Sequence, residues 1–311
     1  MNRNQRGPVF TQSSVLSPQS SLKIHLVLAS AAFLFSLNYI FSKFGMASFT
    51  PLSFAYVRVL GSALVMRLFV RHGEVEKLSR EDDRQLFLFA ILGVVINQTF
   101  FLGGLSLTTA HVAAILITTI PVFALAAAIV LGRERATATK FGGIALAAAG
   151  ALLVVAREGF EGAGKSWIGD LLIAVNCLSY ALYLVLSKPA MARLSAKRVI
   201  GRMFTIGAVL MLPICAWSLL HEHWSAIPIR AWLSLLAVIL GPTVAAYLMN
   251  AWALRHADSS LVAAYSYLQP VIAVILAAIF LHEEIRLVAL VAAAMIFAGV
   301  WISGRRVSAL P

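Results

Sequence analysis

Apolar residues run continuously, not alternately, along most of the chain. Ten stretches stand out, at roughly 24–43, 52–70, 86–105, 110–131, 138–156, 168–187, 199–220, 231–253, 259–281 and 286–303. Each approaches the ~20 residues that a helix needs to cross the hydrocarbon of a bilayer. The period-two pattern of a membrane barrel is absent, so the stretches predict helices. Their connections are short and hold most of the charge. Residues 1–22 differ in kind: Gln, Ser and Pro dominate Thr11 to Ser21, which reads as a disordered N-terminal tail. The first apolar stretch starts only after Lys23 and a second follows closely. That predicts a retained helix rather than a cleaved leader.

Composition agrees with this pattern. Of 311 residues, 60% are hydrophobic and 12% charged, with mean hydropathy +0.88. An ordinary soluble domain is about 25% charged, so this chain lacks the polar residues to cover a water-exposed globule. The net charge of +12 does not indicate nucleic acid, because no stretch outside the apolar runs is long enough to fold into a basic domain. Cys177 and Cys215 both lie in apolar runs and form no disulfide framework or metal-ligand spacing.

Placement gives the basic residues a different meaning. With the N-terminus in the cytoplasm, the inner segments carry 19 Lys and Arg and the outer ones carry Arg157, Lys165, Arg230 and Arg286. Lys43 and Arg58 fall within or at the ends of spans. An excess of basic residues marks cytoplasmic loops. The chain is therefore read as a multi-pass plasma-membrane protein, of a prokaryotic inner membrane, with both termini inside.

A shift of 149 residues brings the chain into register with itself. Pro121 then falls on Pro270, Glu134 on Glu283 and Gly150 on Gly299. Ala114, Val122, Ala128 and Ala145 fall on Ala263, Val271, Ala277 and Ala294. Ser42-Lys43 match Ser187-Lys188, and Met46 matches Met191, at a slightly different offset. The predicted architecture is all-α, with ten transmembrane helices built as two inverted five-helix repeats. Five is odd, so the second copy enters the membrane in the opposite sense, as in many secondary transporters. The segments are a tail over 1–22, a first repeat over 23–156, a loop over 157–167, a second repeat over 168–304 and a cytoplasmic tail over 305–311.

The repeated run of small residues, a mid-helix Pro and a Glu just beyond the helix resembles the EamA domain of the drug/metabolite transporter superfamily. It stands here as "TTAHVAAILITTIPVFALAAAIVLGRE" with "GGIALAAAGALLV", and as "ADSSLVAAYSYLQPVIAVILAAIFLHEE" with "LVAAAMIFAGVWI". The likeness covers about residues 24–303, although a Trp often found near Leu37–Asn38 is missing. It implies ten helices, cytoplasmic termini and movement of small metabolites, with no particular solute.

"GFEGAGKS", from Gly159 to Ser166, matches the phosphate-loop pattern in full. That chemistry needs a strand before the loop, a helix after it and an Mg-binding Asp. Here the preceding segment ends a span and the loop is expected outside the cell, so a flexible inter-repeat linker is the reading. "HEEIR" at His282 lacks the second His of the zinc-protease motif, and "HEH" over His221 to His223 reads as a solvated loop.

Polar groups inside a bilayer are costly and each is a functional candidate, the alternative being a bridge between helices worth about 0.6 kcal/mol. Asn176, Tyr180 and Tyr183 share one face of span six, at i, i+4 and i+7. Tyr247 and Asn250 share a face of span eight near Pro242, and Tyr265 and Gln269 one of span nine beside Pro270. With Asn38, Asn97 and Thr118 these are the candidate substrate-binding residues. They would form a mostly apolar pocket with aromatic faces and a few amides. Candidate gating or coupling residues are Lys43, His111, Pro121, Lys188 and Pro270. Pro121 and Pro270 are expected to kink spans four and nine, for gating or only for packing. Lys43 and Lys188 lie at opposite mouths, where they either snorkel or attract an anionic group. The Gly- and Ala-rich stripes of spans five and ten read as packing surfaces, between the halves or between two protomers of a homodimer.

The function expected is secondary transport of small organic metabolites, such as amino acids or amphipathic compounds, by alternating access. Export or exchange is the expected mode, with a small-molecule solute and the lipid bilayer as partners and no cofactor. The alternative is a membrane-embedded lipid-modifying enzyme, for which no mid-membrane nucleophile, metal cluster or carboxylate pair is visible.

Overall fold

A backbone in hydrocarbon must satisfy its own hydrogen bonds, and an α-helix does this within one segment. The computed structural model of the chain follows that rule. It describes residues 18–69, 79–132, 137–139, 141–143, 145–146, 148–150, 153, 166–256, 265, 268–282 and 287–304. The helices are α1 (Pro18–Met46), α2 (Pro51–Phe69), α3 (Arg80–Ala90), α4 (Asn97–Leu107), α5 (Ala110–Ile117) and α6 (Ile120–Val130). They continue with α7 (Ser166–Arg193), α8 (Ala196–Leu220), α9 (Ile229–Val238), α10 (Ala246–His256), α11 (Leu268–Phe280) and α12 (Leu287–Gly304). Among the described residues, seven helices are long and apolar enough to cross a membrane. The chain is thus a multi-pass membrane protein, all-helical over its described residues. Phe33, Leu64, Val209 and Trp217 belong to the large apolar side chains left on its outer face.

Two of the long helices contain a π-helical turn. Ile91–Ile96 joins α3 to α4, and Ile239–Ala245 joins α9 to α10. A π turn inserts a residue and leaves backbone carbonyls outside the regular ladder. Side chains take up the slack. Ser179 Oγ donates to the carbonyl of Leu92 at 2.7 Å, and Thr243 Oγ1 to that of Val238 at 2.8 Å.

The fourth apolar stretch, expected as one kinked helix, is interrupted between α5 and α6. Pro121, in the first turn of α6, offers no N–H to the ladder and its ring crowds the preceding turn. Thr118 and Thr119 compete for the same carbonyls: their hydroxyls donate to Ile115 and Leu116 at 2.6 and 2.7 Å. Pro270 falls in the first turn of α11, where a missing donor costs little.

Packing ties the first half of the chain to the second. The helix α2 lies along α8, α4 and α6 lie along α7, and α1 lies along α9, α10 and α11. The backbones of α4 and α7 approach closely. A Cβ on Gly104 would stand 2.7 Å from the carbonyl oxygen of Gly169, and one on Gly169 would stand 2.8 Å from that of Gly104. Small residues permit such contacts between membrane helices. In the small-residue stripes, a Cβ on Gly150 would stand 2.9 Å from the carbonyl oxygen of Ala292 in α12. That part of the stripes packs within the chain.

At one end of the molecule Ser79 caps α3. Its Oγ accepts from the Asp82 amide at 3.1 Å, and the Asp82 carboxylate accepts from the Ser79 amide at 3.0 Å. Asp82 also pairs with Arg193 at 3.0 Å, which fastens the start of α3 to the end of α7. Of the expected N-terminal tail over 1–22, residues 18–22 belong to α1; residues 1–17 and 305–311, Glu134, Glu283 and the glycine-rich stretch before Ser166 lie outside the described residues.

Candidate functional site

Asn97 and Gln98 directly follow the first π turn, and Tyr247 comes two residues after the second. All three are buried and they meet. Gln98 Nε2 donates to Asn97 Oδ1 at 3.1 Å and lies 3.4 Å from the Tyr247 hydroxyl, which is also 3.4 Å from Asn97 Oδ1. From α7, Asn176 Nδ2 donates to the Asn97 carbonyl at 2.9 Å. An unpartnered amide in hydrocarbon costs several kcal/mol, which is about the scale that forces such groups onto one another. Two acceptors of the cluster nevertheless have no partner among the described residues: Gln98 Oε1 and Asn176 Oδ1.

Aromatic rings wall this cluster. Tyr180 lies 5.6 Å from Tyr183 and 6.4 Å from Tyr247, centroid to centroid. Phe204 and Phe35 meet Tyr247 edge-on at 5.4 and 6.0 Å, and Phe89 does the same to Tyr183 at 6.2 Å. The offset and edge-to-face geometries are those that aromatic quadrupoles favour. Gly93, inside the first π turn, makes room for the Tyr183 ring: a Cβ there would stand 3.0 Å from it. Asn250 reaches the Tyr180 hydroxyl from α10.

The structure thus brings Asn97, Asn176, Tyr180, Tyr183, Tyr247 and Asn250 together, from helices of both halves. The remaining candidates stand elsewhere. Asn38 accepts from Ser42 at 3.2 Å within α1. Thr118 is buried and turned onto its own helix. Gln269 presents its carbonyl to Ser36 Oγ at 3.0 Å. Tyr265 sits at one end of the molecule, where its hydroxyl is 2.7 Å from His25 Nδ1. Lys188 is exposed near the end of α7. The backbones of His111 and Pro270 are helical, in the first turns of α5 and α11, and Pro121 opens α6. Lys43 donates to the carbonyl of Thr108, and Thr108 Oγ1 donates to Asp170 Oδ1 at 2.6 Å.

Two charged residues outside the expected set are buried here. Asp170 is fully buried in the first turns of α7. Its position at the edge of an apolar stretch gave no sign of burial. Arg58 is 2% exposed, in the middle of α2. Its Nε donates to Thr243 Oγ1 at 2.8 Å, while Nη1 is buried without a partner among the described residues. Thr243 and Tyr247 are one turn apart, so Arg58 borders the amide and aromatic cluster. An arginine at a bilayer centre costs about 3 kcal/mol even on insertion scales. A cation far from the last turn of a 19-residue apolar helix, where Arg67 sits, was the available sequence signal.

Apolar and aromatic side chains thus surround a few buried polar groups. The EamA-like transporter family model matches the chain twice, over residues 22–156 and 167–305. An uncharacterized transporter of Archaeoglobus fulgidus is 30% identical over 284 residues, covering 90% of this chain and 97% of that protein. The uncharacterized transporter YvbV of Bacillus subtilis is 29% identical over 273 residues, covering 84% and 85%. A probable terminal-alkyne amino-acid exporter of Streptantibioticus cattleyicolor is 28% identical over 233 residues, covering 75% and 76%. A solved crystal structure aligns with TM-score 0.65 at 19% identity, over 91% of this chain and 96% of the other, a likeness of fold alone. On these matches, and on the paired helices that carry the cluster, the chain belongs to the EamA-like transporter family.

Proposed function

We propose that the chain is a secondary transporter that exports or exchanges small organic metabolites by alternating access, with amino-acid-like or amphipathic solutes as its class. One observation carries this reading: a buried group of amides and tyrosines is assembled from α4, α7 and α10, beside a buried arginine from α2. The exporter of S. cattleyicolor is named for an amino acid, and that name supports the solute class. Purified protein in liposomes, offered a panel of labelled metabolites, tests the proposal. Solute-dependent flux above that of empty vesicles is the expected result; turnover of a lipid with no flux would replace transport by membrane-embedded catalysis.

The ten spans form two inverted five-helix repeats, over 23–156 and 168–304. Support comes from the packing pairs. Under the repeat, α7 corresponds to α1, α8 to α2, and the π turn at Ile239–Ala245 to that at Ile91–Ile96. The contact of α4 with α7 then has its counterpart in that of α10 with α1, and α2 against α8 is its own counterpart. Such symmetry lets one central site face each side in turn.

Both termini are cytoplasmic in this reading, on the distribution of Lys and Arg. Cysteines introduced at positions 2 and 310 should resist a membrane-impermeant maleimide in intact cells and react after lysis. Labelling of either in intact cells would reverse the topology.

A further inference from the structure

Satisfied and unsatisfied polar atoms are unevenly distributed around the amide cluster. Both oxygens of Asn97 are engaged: the side-chain oxygen faces Gln98 and Tyr247, and the carbonyl accepts from Asn176. Three buried atoms around it have no partner among the described residues. One is a cationic donor, Arg58 Nη1, and two are acceptors, Gln98 Oε1 and Asn176 Oδ1. Their residues are 2%, 2% and 1% exposed. Buried groups are almost always hydrogen-bonded, so orphans grouped in one place point to something they bind.

The donor is the most informative of the three. The Arg58 guanidinium has one hydrogen bond among the described residues, to Thr243 Oγ1 at 2.8 Å, and no carboxylate pairs with it there. A guanidinium is always charged and its planar edge matches a carboxylate, by two parallel N–H···O bonds. Thr243 itself is tied to the π turn through the carbonyl of Val238. The Nε edge of Arg58 is therefore held in place while Nη1 is left over. Gln98, which also meets Tyr247, and Asn176 contribute orphans of the opposite sign, and an ammonium group suits two amide oxygens.

We propose that Arg58 anchors the carboxylate of the transported solute, with Gln98 Oε1 and Asn176 Oδ1 facing its ammonium group. The inference rests on the transport reading and names the solute class at the same site: zwitterions with an apolar side chain. Thr243 is a positioning residue that acts through Arg58. The aromatic walls of Tyr180, Tyr183 and Phe204 accommodate the side chain without fixing its identity.

Three probes of nearly equal shape separate the groups: leucine, 3-methylbutylamine, which lacks the carboxylate, and 4-methylpentanoate, which lacks the ammonium. Counterflow is measured in liposomes holding the wild type, Arg58→Gln or Arg58→Lys, each checked by size exclusion and thermal melting. The wild type should prefer leucine over the amine by about 10-fold or more, the scale set by a buried charged donor left unpaired. Arg58→Gln should bring that ratio close to one, and Arg58→Lys should restore it in part, since a point charge replaces the fork. Thr243→Val carries the test if Arg58→Gln does not fold: the KM for leucine should rise about fivefold with the maximal rate kept, as expected from losing one oriented contact.

Equal losses for all three probes in Arg58→Gln would make the arginine structural and overturn the anchor. A wild type that prefers the amine would overturn it too. Flux of another metabolite class with none of the three probes would remove the anchor and leave the transport reading standing. Flux of nothing at all would remove both.

Discussion

Gly104→Val should lower the melting temperature of the purified protein far more than Gly142→Val does. The contact at Gly104 is made of backbone. A Cβ there would stand 2.7 Å from the carbonyl oxygen of Gly169 and 2.9 Å from Ile173. A flexible side chain could swing away, but a carbonyl in a helix cannot, so α4 and α7 must separate. Overpacking of this kind costs about 1–3 kcal/mol, and β-branching narrows the rotamers that relieve it. The separation would also pull Asn97 from Asn176, whose amide reaches the Asn97 carbonyl at 2.9 Å. Transport should fall with stability. Gly142→Val is the matched control, because a Cβ there meets nothing within 4 Å. Equal melting of the two variants, in detergent and in lipid, would show that α4 and α7 part at little cost.

Much of this fold was legible because hydrocarbon leaves a chain few options. Continuous apolar runs marked the helices, and the long helices α1, α2, α7 and α8 fall on four of them. What periodicity could not reveal is an irregularity inside a span. Nothing in "ILGVVI" announces a π turn, since its residues suit an α-helix equally well. The interruption at Thr118–Thr119 was more accessible: two side chains that bond back to their own turn precede a proline. The site was legible in the same uneven way. Asn176, Tyr180 and Tyr183 share a helix face by simple spacing, and that face does meet Asn97 and Tyr247. Tyr265 and Gln269 share a face as well, yet Tyr265 meets His25 at the molecule's end. Spacing fixes a direction around a helix axis but not the partner opposite it. Arg58 is easy to underrate for the same reason: distance from the helix end says little about its depth, whereas its burial depends on Thr243 of another segment.

Tyr247 should separate binding from packing. Its ring meets Phe35, Tyr180 and Phe204, and its hydroxyl lies 3.4 Å from both Asn97 Oδ1 and Gln98 Nε2. Tyr247→Phe keeps every ring contact and removes only the hydroxyl. Asn97 Oδ1 retains the Gln98 donor at 3.1 Å, so no new orphan appears. Stability should change by less than about 1 kcal/mol, the scale of one long neutral hydrogen bond. Transport should fall about tenfold if the hydroxyl also holds the Gln98 amide with its free oxygen toward the solute, since about 1.4 kcal/mol is a factor of ten. Tyr247→Ala should do both kinds of damage: a buried aromatic truncated to alanine costs about 3–5 kcal/mol when its space stays empty. Combining Tyr247→Phe with Gln98→Leu supplies the decisive comparison. If the two side chains act as one unit, the double variant transports no worse than Gln98→Leu alone, because neighbours in one network are not additive. Independent, additive losses would mean that Tyr247 and Gln98 meet the solute separately. A Tyr247→Phe variant with wild-type flux would reduce the residue to a packing ring.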